Sequence, residues 1–349
     1  MYSVGQILAT DEFLETNGTA FAPDFQEAID LAEGALEAAL DRGFVHWVLT
    51  YSGGKDSTAT TVLTLEWLKR KGYPVKAHVI YADTGLEIPT LHAQAQEFLH
   101  ALQDLHPEVS VYTAKPEAEE SFWVNLIGKG YPPPHSRFRW CTRRLKVTPM
   151  DAVVQTLEGK ALIITGVRFG ESDARDARMH LSCSRGGECG QGVWYEESRR
   201  LGVGYLAPIA FWRECYVWDY VSLVAPAFGY PTKAIEEIYG GRDTRFGCWI
   251  CTVVRQDRAM QKIVSSPEGR RYLPLAEFRS WLKEFTEQRE NRVLRSNGVP
   301  GRLTLHARRT ILERLRTTEA KTGLSILSPE EHQLILQYWQ SDRYNDSYQ

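Results

Sequence analysis

Phe44-Val-His-Trp-Val-Leu-Thr-Tyr51, followed by Ser52-Gly-Gly-Lys-Asp-Ser-Thr58, is the stretch on which the fold turns. Its first eight residues are rich in β-branched and aromatic types, the pattern of a strand buried on both faces. The next seven form a loop, and Thr58–Lys71 then reads as a helix closed by Gly72. A strand, a glycine loop and a helix in this order make the natural anion site of an α/β sheet, because backbone N–H groups and the helix N-terminus aim at the ligand. Gly53 and Gly54 let the backbone approach phosphate closely. Lys55 supplies charge, and Ser52, Ser57 and Thr58 supply hydroxyl donors. Neither GxxxxGK[ST] nor GxGxxG occurs here, so this is not a Walker A or a dinucleotide loop.

Working outward, Asp24–Leu40 has helical apolar spacing and ends at Gly43. Val75–Tyr81, Val109–Thr113, Leu162–Val167 and Gly204–Ile209 read as further strands, and Thr90–Leu105 as a helix. The alternation predicts an α/β fold with a doubly wound, mostly parallel sheet. Strand signals disappear after about residue 255. Asp257–Met260, Leu275–Arg289, Leu305–Thr318 and Pro329–Gln340 read as helices, and Arg289–Arg302, with Asn297-Gly298 and Pro300-Gly301, as a loop between two of them. The expected organisation is an acidic helical segment over 1–43, an α/β domain over 44–255 and a helical region over 256–349.

The chain has 349 residues, 43% hydrophobic and 24% charged, which excludes a disordered or collagen-like chain. Its longest apolar runs fall far short of the ~20 residues of a membrane span, and no signal peptide is visible in the first residues. The expectation is a soluble, cytoplasmic protein with no membrane partner. The net charge of −3 hides an asymmetry. Residues 1–41 hold nine acids and no Lys or Arg, whereas 289–316 hold eight Arg against two Glu. Such a basic stretch points to nucleic-acid phosphates or an acidic partner as readily as to a solvated face.

Four further motifs carry chemistry. Tyr81-Ala-Asp83-Thr-Gly-Leu-Glu87 ends the second strand, where Asp83 would hold Mg²⁺ or nucleotide beside the glycine loop. Arg168, in Gly166-Val-Arg168-Phe-Gly-Glu171-Ser172, follows the fourth strand and would hold phosphate bidentately. Phe138-Arg-Trp-Cys141-Thr-Arg-Arg-Leu-Lys146 sets one thiol among cations, which favour thiolate. Arg245-Phe-Gly-Cys248-Trp-Ile-Cys251 supplies a CxxC suited to zinc, a redox pair or an iron–sulfur cluster. Six cysteines in a chain this long make no disulfide framework. A [4Fe–4S] cluster would take Cys141, Cys248 and Cys251. Cys215, at a predicted helix start, is the preferred fourth ligand, with Cys183 and Cys189 as alternatives. Zinc, with His180 nearby in sequence, stays open.

The loop Ser52–Thr58 resembles that of the PP-loop ATP pyrophosphatases, an adenine nucleotide α-hydrolase-like superfamily. The segments around Asp83 and Arg168 resemble its phosphoadenylylsulfate (PAPS) reductase-like branch. Arg139–Lys146, Arg245–Val254 and Leu303–Leu315 resemble the DndC-type, SspD-like sulfurtransferases of DNA phosphorothioation. That resemblance, spanning about residues 45–340, implies cleavage of ATP to release pyrophosphate and adenylation of the DNA backbone or of a sulfur-transfer intermediate. It also implies DNA, a cysteine desulfurase and other phosphorothioation proteins as partners, in bacterial defence. The nucleotide would be held by Ser52, Gly53, Gly54, Lys55, Asp56, Ser57, Thr58 and Asp83, with Arg168 and Lys146 stabilising developing phosphate charge. Alternatives are an APS or PAPS reductase, against which no cysteine follows Cys251, and a non-catalytic, ATP-sensing DNA-binding subunit.

Overall fold

The computed structural model describes residues 24–169, 188–190, 193–198, 202–239, 247–254 and 257–341. Its contacts divide the chain into two units. One runs to Tyr81 and includes Ala93–Thr113 and Val153–Glu237. The other is built from Ala82–His92, Ala114–Ala152 and everything from Ile238 onward.

The first unit is the α/β sheet. Helix α1 (Phe25–Leu40) starts at a capping box, in which Asp24 accepts from the Glu27 amide and Glu27 from the Asp24 amide. Strand β1 (His46–Tyr51) leads through the loop into α2 (Lys55–Arg70). Next come β2 (Lys76–Ala82), α3 (Pro89–Leu105), β3 (Ser110–Ala114) and β4 (Ala161–Ile164). The sheet is completed by β5 (Glu188–Gly190), β6 (Val193–Ser198) and β7 (Val203–Ala207), in the order β3-β2-β1-β4-β7-β6-β5. β1 pairs in parallel with β2 and β4, and β4 with β7, as the alternation requires. The antiparallel pairs β5–β6 and β6–β7 widen the sheet beyond the expected five strands.

Trp47, Val48 and Leu49 of β1 are fully buried. Trp47 stacks on Trp67 of α2 with ring centroids 5.9 Å apart, and Tyr51 on Phe98 of α3 at 4.8 Å. Two histidines also lie in this core. His46 Nε2 donates to the Glu158 carbonyl at 2.9 Å, so in the neutral pair its Nδ1 accepts from His78 Nε2, also at 2.9 Å. His78 Nδ1 is then an unprotonated nitrogen with no hydrogen-bond partner among the described residues. Burial, then the neighbouring His46 and Lys76, lowers the His78 pKa from 6.5 to about 4. The folded state therefore holds His78 neutral while the unfolded chain protonates. The stabilisation is complete above pH 6.5 and is lost as the pH falls to about 4. Thermal midpoints should fall steadily over that window, and His78→Gln should flatten the profile; an unchanged slope in the variant would assign the acid sensitivity elsewhere.

The second unit is mainly helical: α4 (Arg258–Ser265), α5 (Leu273–Glu287), α6 (Leu305–Thr322) and α7 (Pro329–Gln340). Trp123, Trp249, Phe278, Leu282, Ile311 and Leu315 lie in its core. Arg289–Arg302 is not simply a loop. Strands β8 (Arg292–Leu294) and β9 (Pro300–Leu303) pair there, and Gly298 takes φ 74° at the turn. Val293 and Leu303 are buried while Arg292, Leu294 and Arg302 beside them are more exposed, a period-two pattern masked by the arginines around it. Arg308 is fully buried and donates to the Gly128 carbonyl at 2.6 Å, so it is structural and cannot serve a phosphate. No helix among the described residues is long and apolar enough to cross a membrane.

Candidate functional site

The loop after β1 is held by its own hydroxyls. Ser57 Oγ donates to the Gly54 carbonyl at 2.9 Å and accepts from the Ser52 amide at 3.2 Å. It also pairs with Ser52 Oγ at 3.0 Å, and Thr58 Oγ1 donates to the Gly54 carbonyl at 3.0 Å. Gly53 sits at φ 75°, the left-handed conformation that favours glycine, whereas Gly54 caps α2 at φ −86° with ordinary extended backbone. Glycine is thus demanded by conformation at 53 only.

Charged groups interlock at the start of α2. Lys55 Nζ lies 2.8 Å from Asp56 Oδ2 and 3.3 Å from Glu214 of the short helix Glu214–Asp219. Arg168 Nε donates to Asp56 Oδ1 at 2.5 Å, and its Nη1 donates to the Trp212 carbonyl at 3.1 Å. Both cations are buried and share one carboxylate. Such an arrangement keeps two positive charges oriented at a helix N-terminus, where phosphate oxygens bind best. The segment after β4 reaches Asp56 only because residue 166 is glycine: a Cβ there would lie 2.7 Å from the Asp56 carbonyl and 2.8 Å from the Ser57 amide. Gly166→Ala should therefore displace the loop and weaken ATP binding, measured by equilibrium dialysis, with little change in helix content. Wild-type affinity would show that the contact is dispensable.

Asp83 belongs to the second unit. It is buried, accepts from the Gly85 amide at 3.0 Å and pairs with Lys115 at 3.0 Å. One ligand atom each from Asp83, Glu87 and His92 lies within 4.8 Å of the other two, a group able to hold a cation. Glu87 pairs with Cys248 in an antiparallel bridge, and the Trp249 amide donates to the Leu86 carbonyl at 2.9 Å.

The CxxC forms a tight turn, with the Cys251 amide donating to the Cys248 carbonyl at 3.0 Å. Arg279 of α5 clamps it, its Nε donating to the Cys251 carbonyl and its Nη2 to the Val254 carbonyl, both at 2.7 Å. The two thiols are hydrogen-bonded. That bond and burial push Cys248 well above the usual thiol range. The same bond, with the Val253 and Val254 amides and Arg279, brings Cys251 down to about 6 against the opposing effect of burial. Cys141 lies close enough for its charge to act on both. Its own pKa is raised, contrary to the expectation from its cationic neighbours in sequence, and burial is the largest cause. Lys146 is exposed, and its charge favours the Cys248 thiolate.

Of the expected sulfur ligands, Cys141, Cys248 and Cys251 thus gather in one unit. Cys215 lies in Glu214–Asp219 of the other unit. Cys189 falls in β5, and Cys183 lies outside the described residues, as do Glu171, Ser172 and His180. Three thiols with Lys146 and Arg279 beside them suit an iron–sulfur cluster, since thiolates ligate iron and the cations offset their charge. Sequence reading missed Glu214, Glu87, His92 and Arg279. Glu87 shares the segment of Asp83 but carries no sequence signal of its own; Arg279 reads as one more polar residue on a helix, and only its burial distinguishes it.

Residues 46–254 match the phosphoadenosine phosphosulfate reductase domain. An uncharacterized protein of Methanocaldococcus jannaschii is 24% identical over 256 residues, or 69% of this chain. The chain spans about half that relative's length, 46%. Among solved structures, PAPS reductase from Candida auris in its phosphate complex is 20% identical, with 68% of this chain and 100% of that one covered and a TM-score of 0.40. FMN adenylyltransferase from Candida glabrata is 17% identical, covering 68% and 66%, with a TM-score of 0.41. The U34-tRNA thiolase NcsA from Methanococcus maripaludis with its [4Fe-4S] cluster is 11% identical, covering 74% and 79%, with a TM-score of 0.36. With more than half its length matched, the chain belongs to the phosphoadenosine phosphosulfate reductase domain family.

Proposed function

We propose that this protein is an ATP pyrophosphatase of DNA phosphorothioate modification, a sulfurtransferase component that activates the DNA backbone or a sulfur-transfer intermediate by adenylation. The observation that carries the reading is the Ser52–Thr58 loop at the start of α2, with Lys55 and Arg168 both fixed on Asp56. In the reaction an acceptor oxygen bonds to the α-phosphorus of ATP. The bond from that phosphorus to the bridging oxygen breaks, and pyrophosphate leaves with the electron pair. Lys55, Arg168 and the α2 N-terminus offset the charge that grows on the leaving group. Glu214 and Asp56 hold Lys55 in place. Bound Mg²⁺ would neutralise phosphate charge further.

The DNA-modification part of the reading rests on the likeness of Arg139–Lys146, Arg245–Val254 and Leu303–Leu315 to DndC-type proteins. Cys141, Cys248 and Cys251 would hold an iron–sulfur cluster, which when bound supplies iron centres for sulfur or electron chemistry. A cysteine desulfurase is the expected sulfur source, and the cytoplasm the expected place. The test is pyrophosphate release from ATP by anaerobically purified protein, with and without single- and double-stranded DNA. Release supports the reading. Reduction of an adenylylsulfate without pyrophosphate release would replace it with a reductase, and ATP binding without turnover with a sensing subunit.

A further inference from the structure

We propose that the cleft between α5 and α6 is a base-stacking site for single-stranded nucleic acid. The cleft encloses about 410 Å³, within the range of small-ligand sites, and lies in the C-terminal helices, away from the loop and the thiols in sequence. Its wall carries Trp281 and Phe285, whose rings stack with centroids 4.7 Å apart and planes at 22°. Both are half-buried, so the pair forms a ledge open to the cleft rather than part of the sealed core. The Arg314 guanidinium lies over the Trp281 ring, 4.5 Å from its centroid. Lys321, Glu277 and Glu313, all exposed, complete the polar lining.

These groups fit one chemistry together. An aromatic ledge with a guanidinium stacks a nucleobase. Arg314 and Lys321, both exposed on the same helix, meet the flanking phosphates. Glu277 and Glu313 repel phosphate but accept hydrogen bonds from exocyclic amines. The bases, not the backbone, must therefore face the cleft, which a paired duplex does not allow. The carboxylates favour cytosine, whose N4 amine donates, over thymine, which has no amine. A nucleic-acid occupant rests on the nucleic-acid substrate proposed above; it does not depend on ATP cleavage.

The test is fluorescence anisotropy of fluorescein-labelled dC and dT dodecamers with the full-length protein at low salt, alongside pyrophosphate release from the same preparations. The expected result is tighter binding of the dC strand and poor competition by duplex DNA. Trp281→Ala should weaken binding about tenfold, Trp281→Phe should retain most of it, and Arg314→Gln should lower the salt slope by about 0.7. Lys321→Glu, an exposed change, serves as a second weakening variant if Trp281→Ala does not fold. Pyrophosphate release should be unchanged in every folded variant. Wild-type affinity in both Trp281→Ala and Lys321→Glu, equal competition by duplex, preference for dT, or no binding by the wild type would each overturn the site. Loss of pyrophosphate release in the wild type, with strand binding intact, would instead overturn the ATP reading alone.

Discussion

Lys55→Ala and Asp56→Ala are each expected to lower pyrophosphate release from ATP by at least about a hundredfold, the effect of deleting one preorganised charge at a developing anion. The two substitutions act differently. Lys55 is a buried cation at the first residue of α2, and its removal takes away charge where the leaving group forms. Asp56 carries no positive charge, but it fixes both Lys55 and Arg168. Without it the two cations repel each other and lose their orientation, so binding as well as turnover should weaken. Asp56→Asn keeps one acceptor and should recover part of the loss, which a purely structural role would not require. Thermal midpoints of all three variants serve as the folding control. Wild-type release by folded Lys55→Ala would place the reacting phosphates elsewhere.

Cys248→Ser and Cys251→Ser are each expected to lose the brown colour of anaerobically purified protein, with iron falling from about four per chain to a small residue. The expectation follows from the shared turn: Arg279 and the Leu86–Glu87 bridge hold both thiols in one place, so neither can be replaced by a remote cysteine. Cys141→Ser should behave alike, because its thiol interacts with both. Cys215→Ser tests the fourth ligand: lost colour assigns it to Cys215, and retained colour assigns it to Cys183, Cys189 or a ligand from outside the chain. Stoichiometric zinc without iron in the wild type would replace the cluster by a metal site and leave Cys141 as a candidate sulfur carrier. The ultraviolet–visible spectrum and metal analysis give the answer without any activity assay.

What the sequence by itself determined is what neighbouring residues determine. The apolar run of β1, the glycine loop and the helix after it lie within one short segment, and their alternation with later strands sets the parallel core sheet. The same holds for the four C-terminal helices, legible from apolar spacing; the capping box of Ser328 and Glu331 that starts the last of them is seen in the structure. The CxxC turn was equally local. Tertiary structure decided what depends on burial and on pairings between distant segments. It set Arg168 on Asp56, buried Arg308 beneath a carbonyl it meets only in the folded chain, and raised the Cys141 pKa where nearby arginines in sequence suggested the reverse. It added two antiparallel strands to the sheet edge and made a hairpin of an arginine-rich loop. It also brought Cys141 to Cys248 and Cys251, and Asp83 to Glu87 and His92. The physical reason is common to these cases. A charge or a thiol carries no periodic signal, and its behaviour is fixed by which groups exclude water around it, which only the packed chain specifies.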